Sequence, residues 1–291
     1  MKLHGQSMVA PLRRVVVCSP ERAGWQDPQI LNRWGELQYL YKPSPDTASE
    51  QHAKLCLALT QAGGEVVNLD AFPGGSLDSV FVHDPCLPTD RGMILLRMGK
   101  ACRQGEVERH KLAFSKMSIP VLGELTEPAT AEGGDLVWLN QNTLLVGQGY
   151  RTNLAALHQL QQMLAPHQIK VIPAPLPYFS GPKYCLHLMS LMSMLDEEHV
   201  LVDLPWLSVE TVELLESYHL KLIEISASER DTLACNVLAL GNKKLLAFEE
   251  NGRTCDKLSA AGFEVIAVRG SEIGINGGGG PTCLTRPIER W

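Results

Sequence analysis

Cys283 ends a run of four glycines and a proline, Gly277-Gly278-Gly279-Gly280-Pro281-Thr282-Cys283. Glycine carries no Cβ, so such a run lets backbone approach a ligand closely. A thiol at its end, in a chain with no metal-type cysteine spacing, is a candidate nucleophile. The same stretch also reads as a glycine turn leading into a strand with a buried cysteine, so the partners decide. Asp84, Asp135, His187 and Asn236 each stand where an apolar segment begins, as Cys283 does. A cysteine, a histidine and two carboxylates in one pocket form a set for covalent hydrolysis. Singly, each has a plainer reading. His187 between Leu186 and Leu188 is a core histidine, and Asp84-Pro85 is a turn. Glu132-Gly133-Gly134-Asp135 is a polar turn into a strand, and Arg151 flanks a helix N-cap. The glycines carry no phosphate signature, since no helix follows them and no GxxxxGK[ST] occurs.

The elements that must gather these residues recur along the chain. Leu136 to Leu139 and Thr143 to Val146 read as strands around an Asn140-Gln141-Asn142 turn. Leu154, Leu157, Leu160 and Leu164 then follow at helical spacing, and Lys170-Val171-Ile172 reads as a third strand. The same strand–strand–helix–strand order appears over Asp84 to Leu122, over His187 to Ile225 and over Asn236 to Val268. A strand at Val15 to Val17, a helix over Ser49 to Gln61 and a strand at Glu65 to Val67 make a fifth unit. Its missing strand is supplied by Cys283-Leu284-Thr285, closing a ring. A period of about 50 residues lies in the range of solenoids and propellers. Closed repeats bury a shared core and protect their sheet edges, so residues 1–291 read as one α/β domain. In a radial repeat the five polar positions meet at one mouth, the default place for an active site. Pro43-Ser44-Pro45 and Gly74-Gly75 read as loops. Gly74-Gly75 and the stretch from Gly24 to Pro45 are lid candidates by composition.

Composition narrows the partners. The chain has 291 residues, 45% hydrophobic and 20% charged, and a net charge of −6. That is a globular profile with no basic face for nucleic acid. No apolar run approaches the roughly 18 residues needed to span a bilayer, and Met1 to Arg14 has no signal-peptide pattern. The eight cysteines form no CxxC pair and read as reduced thiols of a cytoplasmic protein. The nine histidines form no HExxH or HxH pair, so no metal is expected. Cys18, Cys56, Cys102, Cys185, Cys235 and Cys255 are assigned to packing or to indifferent surface.

Five segments in order carry a resemblance: Asp78-Ser79-Val80-Phe81-Val82-His83-Asp84-Pro85, Glu132-Gly133-Gly134-Asp135, Arg151-Thr152-Asn153, Leu186-His187-Leu188 and the Gly277 to Cys283 run. Together they resemble the dimethylarginine dimethylaminohydrolases of the guanidine-modifying superfamily, which includes arginine deiminase and glycine amidinotransferase. The match runs from about Asp78 to the end of the sequence. It implies a pentein, a five-bladed α/β propeller of ββαβ repeats around a central active-site channel, as the repeat count suggests. It also implies roles. Cys283 attacks the guanidinium carbon and expels an amine, leaving a thiouronium adduct. His187 is the general acid and then base, oriented by Glu132. Asp84 grips the guanidinium, Asp78 the α-amino group, and Arg151 and Arg103 the α-carboxylate end. Such chemistry suits a planar cation held by carboxylates, whose charge also favours thiolate at Cys283.

Two positions depart from the pattern. His83 stands where the dimethylarginine enzymes typically carry Glu, which bears on the nitrogen substituents accepted at that substrate-binding position. Met189 stands where arginine deiminases typically place a second carboxylate. The expected function is cofactor-free hydrolysis of a C–N bond in a guanidino amino acid, N-methylated arginine or arginine, giving citrulline and an amine. Arginine dihydrolase chemistry giving ornithine and amidino transfer are the alternatives. A non-catalytic binding protein of the same fold, like the ribosome anti-association initiation factor, lacks the Cys/His/carboxylate set. The expected partner is a small guanidino molecule, not nucleic acid or membrane, and a homodimer is the assembly to test.

Overall fold

The computed structural model describes residues 3–291. Strand β1 (Leu12–Val17) is followed by the short helix α1 (Pro28–Leu31), helix α2 (Pro45–Gln61) and strand β2 (Glu65–Asn68). The next unit comprises β3 (Cys86–Thr89), β4 (Gly92–Leu95), α3 (Glu106–Lys116) and β5 (Val121–Glu124). It is followed by β6 (Leu136–Asn140), β7 (Thr143–Gln148), α4 (Leu154–Leu164) and β8 (Lys170–Pro175). Then come β9 (Met192–Met194), β10 (His199–Val202), α5 (Val209–Ser217) and β11 (Lys221–Glu224). The series ends with β12 (Leu238–Gly241), β13 (Lys244–Phe248), α6 (Gly252–Ala260), β14 (Glu264–Val268) and β15 (Arg286–Arg290).

These strands form five sheets of three strands each. In every sheet the middle strand pairs antiparallel with one neighbour and parallel with the other. A hairpin makes the antiparallel pair in four sheets, and a helix makes the parallel crossover in all five, as parallel strands require. In the remaining sheet β15 pairs antiparallel with β1, so the two ends of the chain share one sheet. The closing strand is thus Arg286–Arg290 and not Cys283-Leu284-Thr285, which form part of the turn before it. Middle strands read as continuous buried apolar runs, and Leu144 and Val146 of β7 are fully buried with Leu157, Leu160 and Leu164 of α4. Each such leucine contributes about 1.5–3 kcal/mol of burial.

Helix starts follow their capping residues. Ser44, Asn153 and Ser208 each accept a backbone N–H of the first turn of α2, α4 and α5. Pro43-Ser44-Pro45 is therefore a cap and helix start, with proline at a first-turn position where its missing N–H costs nothing.

The polar residues singled out in the sequence precede their strands instead of opening them. Gly133–Asp135 and Leu188–Ser190 are 3₁₀ turns ahead of β6 and β9, and Asp84, Asn236 and Cys283 lie in turns ahead of β3, β12 and β15. A turn leaves backbone groups unpaired, and these lead-in segments satisfy each other in a circuit. Gly133 N donates to Asp84 O at 2.9 Å and Gly134 N to its Oδ1 at 3.1 Å. Leu188 N donates to Asp135 Oδ1 at 2.9 Å, and Asn236 Nδ2 to Met189 O at 3.1 Å. Thr282 N donates to Asn236 Oδ1 at 3.0 Å, and His83 N returns to Cys283 O at 3.2 Å.

Asp135 is the joint between two units, because its Oδ2 also accepts from Thr152 Oγ1 at 2.6 Å. Asp135→Ala leaves both donors without an acceptor and should lower unfolding stability by about 1–3 kcal/mol in urea titrations. Burial pushes the Asp135 carboxyl up from 3.8 to about 6. The folded value lies above the unfolded one, so this stabilising contribution is present below the unfolded value and lost as pH rises through the folded value. The stability of wild type minus that of Asp135→Asn should therefore fall between about pH 4 and 6. A difference that stays flat or rises there contradicts this.

Candidate active site

One cavity of about 470 Å³ opens where the lead-in turns converge. Asp78, Asp84, Arg103, Arg151, His187 and Cys283 all line it. Glu132 stands behind His187, fully buried, and its Oε2 meets His187 Nε2 at 2.8 Å. Space for this imidazole depends on Gly134, because a Cβ there would fall 2.3 Å from His187 Nδ1. His187 Nδ1 faces the other way, 3.9 Å from Asp84 Oδ1.

The nucleophile candidate is held by its own loop. Asn236 Nδ2 reaches Cys283 Sγ at 3.4 Å while its Oδ1 fixes Thr282 N. A Cβ on Gly280 would lie 2.5 Å from Asn236 Oδ1, so the glycine run lets the loop approach this amide. The sequence marks Asn236 as one of the converging positions but gives it no task. Its amide geometry supplies one.

Charge is concentrated and paired. Arg103 is 4% exposed, and its guanidinium reaches Asp84 Oδ2 at 2.6 Å, Glu106 Oε2 at 2.9 Å and Phe81 O at 2.8 Å. Arg103 thereby anchors the Asp84 carboxylate, with its own fork already filled. Arg151 Nη1 lies 3.3 Å from both Glu132 oxygens. Asp78 Oδ2 holds Lys100 Nζ at 2.5 Å, a residue the sequence reading passed over. The signal available was its position between Gly99 and Arg103, in the loop before α3.

Ionisation follows from these contacts. Burial pushes the Asp84 carboxyl up, but the charges of His187 and Arg103 outweigh it and hold it below the ordinary value. Burial also opposes ionisation of Glu132, yet the hydrogen bond and charge of His187, with Arg151, keep it well below the carboxylate range. His187 is pushed down by burial and pulled further up by Cys185, Asp135 and Asp84, well above its usual value. Cys283 is pushed up to about 12 by burial and by Asp84, against the lowering effect of His187. The resting pair is thus a neutral thiol beside an imidazolium.

Three expectations change. His83 does not line the cavity: its buried imidazole places Nδ1 2.8 Å from Thr285 O, and burial and Arg286 push its pKa well down, so it is neutral. The position beside Asp84 therefore adds no side chain to the wall, because the turn directs His83 onto Thr285. Cys185 is no indifferent surface thiol; its Sγ lies 3.5 Å from both ring nitrogens of His187. Gly74-Gly75 is absent from the wall, whereas Leu37, Gln38 and Leu40 of the other lid candidate are on it. That stretch is pinned to the nucleophile loop, with Leu40 N on Asn276 O and Tyr41 N on Asn276 Oδ1, each at 3.0 Å. A second flank, Phe179 to Leu186, went unread; its signal was the aromatic Pro/Gly sequence Pro177-Tyr178-Phe179-Ser180-Gly181-Pro182.

Glu132, Cys185 and His187 are the grouping, among the described residues, close enough to share a metal ion, with donor atoms within 4.8 Å of one another. Two of those donors are already joined by the imidazole–carboxylate hydrogen bond. No helix among the described residues is long and apolar enough to cross a membrane.

The chain is similar in sequence and fold to several known proteins. The arginine deiminase family model matches residues 76–212 and 207–290. The Bacillus subtilis (strain 168) protein YkgA is 29% identical over 282 residues, covering 96% of this chain and 92% of its own. The N(G),N(G)-dimethylarginine dimethylaminohydrolase of Pseudomonas aeruginosa is 28% identical over 237 residues, covering 80% of this chain and 86% of its own. A mutant of the Pseudomonas aeruginosa enzyme complexed with citrulline superposes with a TM-score of 0.75 at 26% identity, over 97% of this chain and 100% of the other. An arginine deiminase of Listeria monocytogenes (serotype 4b) is 27% identical over 72% of this chain, which spans 60% of that enzyme's length.

Glu132→Gln removes the charge that stabilises the imidazolium. The His187 titration followed by NMR should move to lower pH in that variant. An unchanged titration means that Glu132 does not govern this histidine.

Proposed function

The chain belongs to the arginine deiminase family, and on that footing we propose that it hydrolyses a C–N bond of a small guanidino acid through a covalent Cys283 adduct. Arginine and its N-methylated forms are the starting candidates. The reading is carried by one observation: Cys283, His187 and Asp84 share one cavity wall, with His187 backed by Glu132 at 2.8 Å. Asp84, Arg103 and Glu106 together carry one negative charge in excess, which suits a single bound guanidinium.

The resting thiol fits this chemistry. Asp84 and burial keep Cys283 protonated, so the free enzyme holds little thiolate. A guanidinium on Asp84 neutralises that carboxylate and adds a cation beside the sulfur, which lowers the thiol pKa where attack occurs. The thiol proton passes to solvent, and the thiolate bonds to the guanidinium carbon. His187 gives a proton to the departing nitrogen, and the C–N bond breaks to release an amine, or ammonia if the nitrogen is unsubstituted. The thiouronium remains on sulfur. Water enters, His187 takes its proton, and the C–S bond breaks to return the thiolate and a ureido product. Each step uses side chains alone, so no cofactor is needed. The five sheets and their circuit of lead-in turns support a pentein, a five-bladed propeller, in a single domain over residues 1–291.

Incubation with arginine, monomethylarginine and dimethylarginine tests the reading. Citrulline with one equivalent of ammonia or methylated amine is the expected outcome; ornithine with extra ammonia means a second hydrolysis. Cys283→Ser should lower turnover at least about a thousandfold while leaving the far-UV spectrum unchanged. Full turnover in that variant excludes Cys283 as nucleophile.

A further inference from the structure

We propose that the preferred substrate is an ω-guanidino carboxylate with no α-ammonium group, and that Lys100 enforces this choice. The inference rests on the reading that Asp84 receives a guanidinium, and it refines the other end of the substrate. The resemblance assigns Asp78 to an α-amino group, but in this structure Asp78 already has a cation. Lys100 Nζ lies 2.5 Å from its Oδ2, and the two side chains are 18% and 6% exposed.

Lys100 is also fixed at both ends. Its backbone N–H donates to Glu132 Oε1 at 3.0 Å, and its ammonium reaches Leu37 O at 3.4 Å, on the flank that covers the cavity. An α-ammonium seeking Asp78 must displace this group or sit against a like charge in a partly desolvated place. No comparable obstacle meets a carboxylate.

The remaining charges point the same way. Lys100 and Asp78 cancel, and the imidazolium of His187 cancels Glu132. That leaves Arg151, whose Nη1 alone is engaged, with Nε and Nη2 making no hydrogen bond among the described residues. Lys183 stands exposed on the same wall. Solvent screens Lys183 there, so Arg151 is the buried cation in excess, with the planar fork that fits a carboxylate. Asp231 is the remaining carboxylate on the wall; it is exposed beside Arg230, where solvent screens its pull on an ammonium.

Desamino-arginine, in which hydrogen replaces the α-ammonium, keeps the guanidinium-to-carboxylate span of arginine and isolates the point. Calorimetric titration of the wild-type protein should give a Kd at least about tenfold lower for desamino-arginine than for arginine. Lys100→Met, which keeps the stem and frees Asp78, should shift that ratio at least about tenfold towards arginine. Equal or tighter binding of arginine by the wild type, or binding of neither compound, overturns the inference whether or not the variant folds. Release of ureido product from each compound is followed separately. Turnover of arginine with no preference for the desamino compound leaves hydrolysis standing and removes this inference. Tight desamino-arginine binding with no turnover of either compound supports the inference and removes the hydrolase reading.

Discussion

Carboxylates removed from water must be met by cations or N–H groups, and this requirement organises the whole site. Asp84, Glu132 and Asp135 are each 2% exposed or less. Leaving any of them unpaired would cost several kcal/mol. Arg103 and Gly134 N meet Asp84, His187 and Arg151 meet Glu132, and Leu188 N and Thr152 meet Asp135. Each acid takes one partner from its own unit and one from the next. The charges can be buried only when the units are assembled, so the site and the fold form together.

The same cluster sets the reactivity. Cys185, Asp135 and Asp84 hold the proton on His187, and burial together with Asp84 keeps the Cys283 thiol protonated. The free protein is therefore poised as an acid with a quiet nucleophile. What changes the balance is a planar cation on Asp84, since it removes the charge that restrains Cys283. On the proposed reading a neutral electrophile brings no such charge, which gives selectivity without a dedicated gate. The covering flank adds to this, because Leu40 and Tyr41 are tied to Asn276, just ahead of the glycine run.

The cavity carries further side chains beside those of the proposed chemistry. His83 is turned into the core, so the position beside Asp84 contributes no charge to the wall. Lys100 and Cys185 introduce an ammonium and a second thiol at the cavity. A family can keep the attacking sulfur, the imidazole and its carboxylate while altering which nitrogens and which head group fit.

Much of this was legible from the chain alone. Period-two and period-3.6 patterns identify strands and helices because one face of each must leave water, and their order repeats five times. Asp84, Asp135, His187 and Cys283 were also marked, because the same polar interruption recurs before each apolar run, while Asp78, Arg103, Glu132 and Arg151 came from the resemblance. Other features needed the folded molecule. The lead-in residues form turns and not strand ends, because their backbone groups are satisfied by a neighbouring unit about 50 residues away. Whether His83 faces the cavity or the core depends on a contact between units, whereas which acid Arg103 and Lys100 choose, and that Cys185 touches His187, depend on how each unit's own loops fold back. Sequence determines which groups exist and in what rhythm; only three-dimensional closeness decides which charges neutralise one another, because Coulomb energy depends on distance in space and not along the chain.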